Sequence, residues 1–368
     1  MKSDVYFTNL RSKGESDSRL FKLERLIKTA GIAKIDFTDK FVAIKMHFGE
    51  PGNLAFLRPN YAKVVADVIR SLGGKPFLTD CNTLYVGGRK NALEHMDSAN
   101  LNGFNTVTTG CQIIIADGIK GNDEMLIPVR NGQYVKEAKI GRALCDADVI
   151  ISLAHFKGHE GTGFGGALKN LGMGGGSRAG KMEQHCDGKP EVDQNLCIGC
   201  GACKRICAHQ GPQISNHKCR IDLNNCVGCG RCLAVCPKDA ISNPNGNSND
   251  MLSCKISEYA QAVCQDKDCF HINLVIDVSP YCDCHSENDV SIVPDIGFFA
   301  SFDPVALDRA CVDAVNKAPA ITSSRLGEMG KEDDNLDTNH PYTNWRIGLD
   351  HAEKIGLGTQ QYNLIEVR

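Results

Sequence analysis

The sequence is poor in several features that would place it quickly. No stretch approaches the roughly eighteen uninterrupted apolar residues of a membrane helix, which predicts a chain without a membrane span. The opening residues, Met1–Lys2–Ser3–Asp4 and on through Glu15 and Asp17, are polar with no apolar run, and predict no secretory leader. Charge of one sign is not in excess. The 41 Lys and Arg face 44 Asp and Glu, a net of -3, which argues against nucleic acid or an anionic membrane as the main partner. Hydrophobic residues are 42% and charged residues 23%, an ordinary globular balance. At 368 residues the chain is long enough for two or three domains and a full-sized core.

What is abundant is cysteine, with 19 residues. A secreted disulfide scaffold is short and tends to an even count. This chain is long and its count is odd. The expectation is a reducing, cytoplasmic compartment, where thiols stay free or bind metal.

Eight of the cysteines form two runs: Cys197, Cys200, Cys203, Cys207 and Cys226, Cys229, Cys232, Cys236, the second followed by Pro237. Each is C-x2-C-x2-C-x3-C. A 4Fe–4S cube takes one thiolate per iron. Two-residue gaps let three successive thiolates converge on one cube, while the fourth of each run ligates the other. The spacing therefore predicts two 4Fe–4S clusters. Cluster one takes Cys197, Cys200, Cys203 and Cys236; cluster two takes Cys226, Cys229, Cys232 and Cys207. Gly199, Gly201, Gly228 and Gly230 suit loops where backbone N–H groups approach sulfur. Zinc sites usually pair two C-x2-C units across a longer gap, so the duplicated pattern argues against zinc. Clusters and thiolates both suffer under oxidation, which points to an anaerobe.

From Val192 to Ile241 the chain resembles the two-cluster bacterial ferredoxins, with Ala208 where proline usually follows the fourth cysteine. From Asp187 to Asp250 there are seven Lys and Arg against six Asp and Glu. Free bacterial ferredoxins are typically acidic, so this segment reads as a fixed relay serving its own chain.

On both sides of this segment strand-like and helix-like runs alternate. Strand patterns lie at Val5–Leu10, Phe41–Phe48, Pro76–Thr79, Gln112–Ala116, Val149–Leu153 and Ile272–Val278. Helical stripes lie at Ser18–Ala30, Tyr61–Leu72, Ala92–Ala99, Ile256–Val263, Pro304–Val315 and Trp345–Ile355. The rhythm predicts an α/β fold, a mostly parallel sheet with flanking helices, interrupted by a small ferredoxin-like α+β module. The expected boundaries are 1–186 and 251–368 for the α/β parts and 187–250 for the module, which ends in the turn-rich Asn243–Asn249. Two separate α/β domains are the alternative.

Four segments of the α/β part carry candidate chemistry. Lys45 and His47 sit at a predicted strand end, where open α/β sheets place ligands. Asp80 ends another. His155, Lys157 and His159 alternate, so in an extended loop they face one way. They suit a metal, or a carboxylate and proton transfer. Cys282 and Cys284 follow a predicted strand and suit one metal or a redox partner; small buried packing residues are the alternative. Gly161-x-Gly163-x-x-Gly166 before a helix offers N–H groups to a small anionic ligand. Its strand is too distant and no ribose-binding acid follows, so it does not read as a dinucleotide loop. Cys254, Cys264 and Cys269 are weighed as part of a third site. Cys111, Cys145, Cys219 and Cys311 read as packing residues.

These segments, with HFKGHEGTGFGGALKNLGMGGG from His155, SPYCDC from Ser279 and SFDPVALD from Ser301, resemble the family labelled domain of unknown function 362. The resemblance implies the architecture and cluster binding but no reaction. The short GGALKNLG stretch is also similar to the lysine-bearing loop of nickel-dependent lactate racemases, from which no function is taken. The reading is an iron–sulfur redox enzyme or redox subunit, relaying electrons to a substrate or cofactor in the α/β domain, with an unidentified redox partner. Two alternatives stand beside it. One is an electron-transfer protein without catalysis of its own; the other is a ligand- or metal-binding maturation factor with structural clusters.

Overall fold

The computed structural model describes residues 2–84, 87–186, 190–207, 210–226, 232, 235–238, 240–242, 249–330 and 334–368, the side chains of Ser16 and Cys186 excepted. Cys229, Gly228, Gly230, Ala208 and the linker residues 243–248 lie outside the described residues.

Eight strands make one sheet: β1 (Ser3–Asn9), β2 (Phe41–Lys45), β3 (Lys75–Asp80), β4 (Gln112–Ile115), β5 (Val149–His155), β6 (Asp268–Val275), β7 (Gly297–Ser301) and β8 (Tyr362–Glu366). Their order is β8-β1-β7-β6-β5-β2-β3-β4. All neighbours are parallel except around β7, which runs antiparallel to both β1 and β6. The sheet is mainly parallel, as the alternating rhythm predicts. It takes strands from both sides of the cysteine-rich segment: β5 pairs with β6, with Ser152 opposite His271 and His155 opposite Leu274. One sheet thus spans both α/β stretches.

Two strands escape the sequence pattern. β7 is buried at every position, Ser301 included, and apolar before it, so it has no two-residue alternation. β8 is a short, half-exposed edge. The strand read from Phe41 to Phe48 ends at Lys45. Beyond it Gly49, at φ +82°, turns the chain out of the sheet.

The period-two alternation of the strands splits the core into two layers. Val42, Ile44, Val149, Ile151 and Leu153 face one apolar cluster, covered by α1 (Arg19–Thr29) and α2 (Pro59–Ser71). Ala43 and Ile150 face the other, covered by α3 (Ala167–Gly175), α4 (Asn249–Cys264), α5 (Pro304–Lys317) and α6 (Trp345–Lys354). Helix α5 opens on the SFDP sequence for a local reason. Pro304 fits the first turn, and the Asp303 carboxylate accepts the Val305 and Ala306 N–H groups at 2.9 and 3.0 Å.

Helix α3 packs closely because it is built from glycines. A Cβ on Gly172 would collide with the Ile256 carbonyl of α4, and one on Gly174 with the Lys45 ammonium. The cysteine-rich segment forms its own small apolar cluster. Cys197, Cys203, Cys219, Ala240 and Ile241 pack with Leu84 and Met182 from the α/β part. Among the described residues, no helix is long and apolar enough to cross a membrane.

Candidate functional site

A cavity of about 490 Å³ opens at the carboxyl ends of β2, β3, β5 and β6, where open parallel sheets hold their ligands. Lys45, His47, Asp80, His155, Lys157, His159, Cys282 and Cys284 all line it. These eight residues span more than 230 positions of chain. Strand ends bring them together: Lys45 closes β2, Asp80 closes β3, His155 closes β5, and the chain after β6 runs on to Cys282.

The side chains are tightly paired. The Lys45 Nζ lies 2.9 Å from Asp80 Oδ1 and 3.1 Å from Asn170 Oδ1. Burial pushes the Lys45 ammonium below its ordinary value, with Asp80 opposing. Against burial, Lys45 holds the Asp80 carboxyl well below the usual carboxylate range. Arg89, 2% exposed, donates from Nε to Glu50 at 2.7 Å and stands 3.8 Å from Asp80. The Gly49 N–H donates to His47 Nδ1 at 2.9 Å, which leaves the ring hydrogen on Nε2; burial first, and Arg89 next, hold this imidazole neutral.

His155 contacts acceptors on both nitrogens: Asp283 at 2.9 Å from Nδ1 and the Ile276 carbonyl at 2.8 Å from Nε2. Both ring edges are thus held by fixed partners. Lys157 shares the same carboxylate, 3.3 Å from Asp283 Oδ2. His159 is the opposite case. Its Nδ1 accepts from the Gly161 and Thr162 N–H groups, each at 3.1 Å, so its hydrogen is on Nε2. That edge is directed at Cys282.

Cys282 is 2% exposed, and the Lys169 Nζ donates to its sulfur at 3.2 Å. The Cys282 thiol is held well below its ordinary value, first by a hydrogen bond from Cys284, against burial, and then by Lys169, His159 and Lys157. Cys284 is pushed up by the same hydrogen bond and by burial. Cys282 is thus the acceptor of the pair, beside the Lys169 ammonium, and Cys284 the donor. At the rim, His285 Nε2 meets Glu160 Oε1 at 2.9 Å. Against burial, this contact brings Glu160 down to about 2.

The sequence reading did not single out Arg89, Lys169 or Lys181, and the cavity also takes in His185. A helical signal exists for two of them. Gly166, Lys169, Asn170, Met173 and Gly174 fall on one face of α3, and all line the cavity. Lys181 and His185 lie four apart on the helix Arg178–Cys186 and do the same. The cavity lining carries five Lys and Arg against two carboxylates.

The glycine pattern Gly161-x-Gly163-x-x-Gly166 is not an anion loop. Gly163–Gly165 pairs with Lys157–His159 as a small hairpin. The first amides of α3, at Ala167 and Leu168, donate to Asp308 at 2.7 and 2.9 Å. The helix N-terminus expected to receive a ligand is thus filled by a carboxylate of α5. Cys264 and Cys269 bond to each other, with burial and this contact raising the Cys269 thiol. Among the described residues, no group of three or more His, Cys, Asp or Glu side chains is arranged to hold a metal ion.

In the cysteine-rich segment, Cys197, Cys200, Cys203 and Cys236 line one small cavity together with Cys219, Ile214 and Ile241. Two backbone N–H groups donate to sulfur there, from Cys219 to Cys197 and from Ala240 to Cys236, each at 3.3 Å. Neither donor is Gly199 or Gly201, and Gly228 and Gly230 lie outside the described residues. Gly199, at φ +67°, instead allows close approach: a Cβ there would collide with the His217 backbone. Cys219, read as a packing residue, sits 3.5 Å from Cys203, sulfur to sulfur.

No curated protein matches the chain. Among solved structures, the lactate racemase apoprotein from Thermoanaerobacterium thermosaccharolyticum is 13% identical with a TM-score of 0.34, over 74% of this chain and 51% of that one. A protein from Thermotoga maritima is 13% identical with a TM-score of 0.41, over 82% of this chain and 59% of that one. The chain thus spans little more than half the length of either. A family model described as Domain of unknown function (DUF362) matches residues 42–313, a span that holds both the cysteine runs and every cavity residue discussed above, and the chain belongs to that family.

Proposed function

We propose that this is an iron–sulfur redox protein. Cys197, Cys200, Cys203 and Cys236 hold one 4Fe–4S cluster and Cys226, Cys229, Cys232 and Cys207 the other, in a ferredoxin-type module over 187–250. The observation that carries the reading is the shared cavity of Cys197, Cys200, Cys203 and Cys236. Three come from the first run and one from the end of the second, the crossed set that cluster sharing requires. Bound clusters of this type supply one-electron transfer.

The protein's own residues then do three things. Cys219 and Ala240 donate N–H groups to sulfur, which stabilises thiolate charge. Leu84 and Met182 close apolar surface between the cysteine cluster and the α/β part, excluding water. Leu84 also lines the large cavity, so the apolar cluster around the cysteines reaches that cavity's wall. The lysines and Arg89 receive an anionic substrate or second cofactor. A 490 Å³ cavity with charged groups converging on it favours a redox enzyme or subunit over a carrier that has only to dock.

The test is spectroscopic. Anaerobically prepared protein should show the visible absorption of iron–sulfur clusters, bleached by one-electron reductants. Cys236→Ser should perturb cluster one and Cys207→Ser cluster two, with distinct paramagnetic signals lost. Loss of the same signal from both variants would overturn the crossed assignment.

A further inference from the structure

We propose that Cys282 and Cys284 form a redox-active dithiol whose substrate is an anionic low-molecular-weight disulfide, an inference that rests on the large cavity being a redox substrate site. Both sulfurs line the cavity, and Lys169 lies 3.2 Å from the Cys282 sulfur. The His159 tautomer is fixed by two backbone N–H groups, so its Nε2–H is available to the same sulfur. Asp283, between the two cysteines, points the other way, to His155 and Lys157. Lys181, also on the lining, gives its ammonium to the Gly176 carbonyl rather than to a carboxylate, and Lys169 loses its charged partner once Cys282 enters a mixed disulfide, so a negatively charged substrate is favoured.

The contrast with Cys264 and Cys269 sharpens the point. Those two also contact each other. Their nearest cation, Lys267, gives its ammonium to the Cys145 and Ala147 carbonyls instead. Lys267 opposes the rise of the Cys269 thiol but is outweighed by the Cys264 contact and burial.

The step balances. The Cys282 thiolate attacks one sulfur of R–S–S–R, forming a mixed disulfide and releasing RS⁻. Cys284 loses its proton and attacks the Cys282 sulfur, releasing the second RS⁻ and closing a Cys282–Cys284 disulfide. The substrate gains two electrons, the cysteines lose two, and the Cys284 proton leaves on a product thiol. A dithiol reductant returns the pair.

The experiment uses the full chain, prepared anaerobically, reduced with dithiothreitol, desalted, and mixed at neutral pH with substoichiometric dithiobis-nitrobenzoate, a dianion, or with neutral dithiodipyridine. Peptide mass spectrometry after blocking free thiols reads each cysteine. The expected result is loss of two hydrogens across Cys282 and Cys284 before Cys264 and Cys269 react, roughly tenfold faster with the anionic reagent. Cys284→Ser should stop at a mixed disulfide on Cys282. Oxidation of Cys264 and Cys269 first, a stable adduct on Cys282 in the unaltered protein, or faster reaction with the neutral reagent would each overturn the proposal. Iron and sulfide measured on the same sample separate the two readings. An iron-free protein with a reactive pair removes the clusters and keeps the dithiol; an iron-loaded protein with an inert pair does the reverse.

Discussion

The Lys169 ammonium stands 3.2 Å from the Cys282 sulfur, joining a helix of the α/β layer to the loop after β6. An opposite charge at this range lowers a thiol pKa by roughly 1–3 units. Lys169→Met should therefore raise the Cys282 pKa and slow its alkylation by iodoacetamide at neutral pH by about tenfold or more. The folded thiol lies below its unfolded value. Its contribution to stability is thus present above the unfolded value of about 8.5 and lost as pH falls through the folded one. An unchanged alkylation profile in Lys169→Met would show that Cys284 and His159 hold the thiolate without it.

Lys45 and Asp80 are 1% and 2% exposed and 2.9 Å apart. Removing one partner leaves a buried charge. Lys45→Met should cost about 3–5 kcal/mol in urea unfolding, and adding Asp80→Asn should restore part of it. A cost under about 1 kcal/mol would mean that Arg89 alone compensates Asp80.

The glycines of α3 set how closely the helix approaches its neighbours. Gly172→Ala should cost about 1–3 kcal/mol through overpacking against α4. Gly174→Ala should displace Lys45 as well, and so alter the cavity. Thermal unfolding reads the first effect; loss of Cys282 selectivity in alkylation reads the second.

Asp117 is fully buried, and burial pushes its carboxyl up to about 6, against Lys181 and the Asn82 N–H. A raised folded pKa favours the protonated native state. Its stability contribution is full below about pH 3.8 and is lost as pH rises through about 6. Asp117→Asn should raise the unfolding midpoint at pH 7, by up to on the order of 3 kcal/mol, and leave it unchanged near pH 4. An equal gain at both values would contradict the titration.

Much of this organisation is legible in the sequence, because hydrophobic period and strand-end position are local signals. The parallel strands and most helices follow from them. So do the eight cavity candidates, each placed at a strand end or on the loop beyond one. Lys169 and Lys181 carry only a helical spacing, too little to place them at the site. They sit on helices whose glycine-rich or polar sequences give no clear apolar stripe, and only the tertiary packing shows which face meets the cavity. The glycine pattern before α3 was misread as an anion site for a related reason, because Asp308 fills that helix end. Its carboxylate caps a helix 140 residues away in sequence, a contact no local pattern reveals. Strand β7 is buried on both faces and so has no alternation to read.

The central claim is that eight cysteines of one chain hold two four-iron clusters. Its most direct test is the iron and acid-labile sulfide content of anaerobically purified protein, counted per chain. The account predicts about eight of each, from two four-iron cubes. A content near four, or near zero after anaerobic reconstitution, would contradict it.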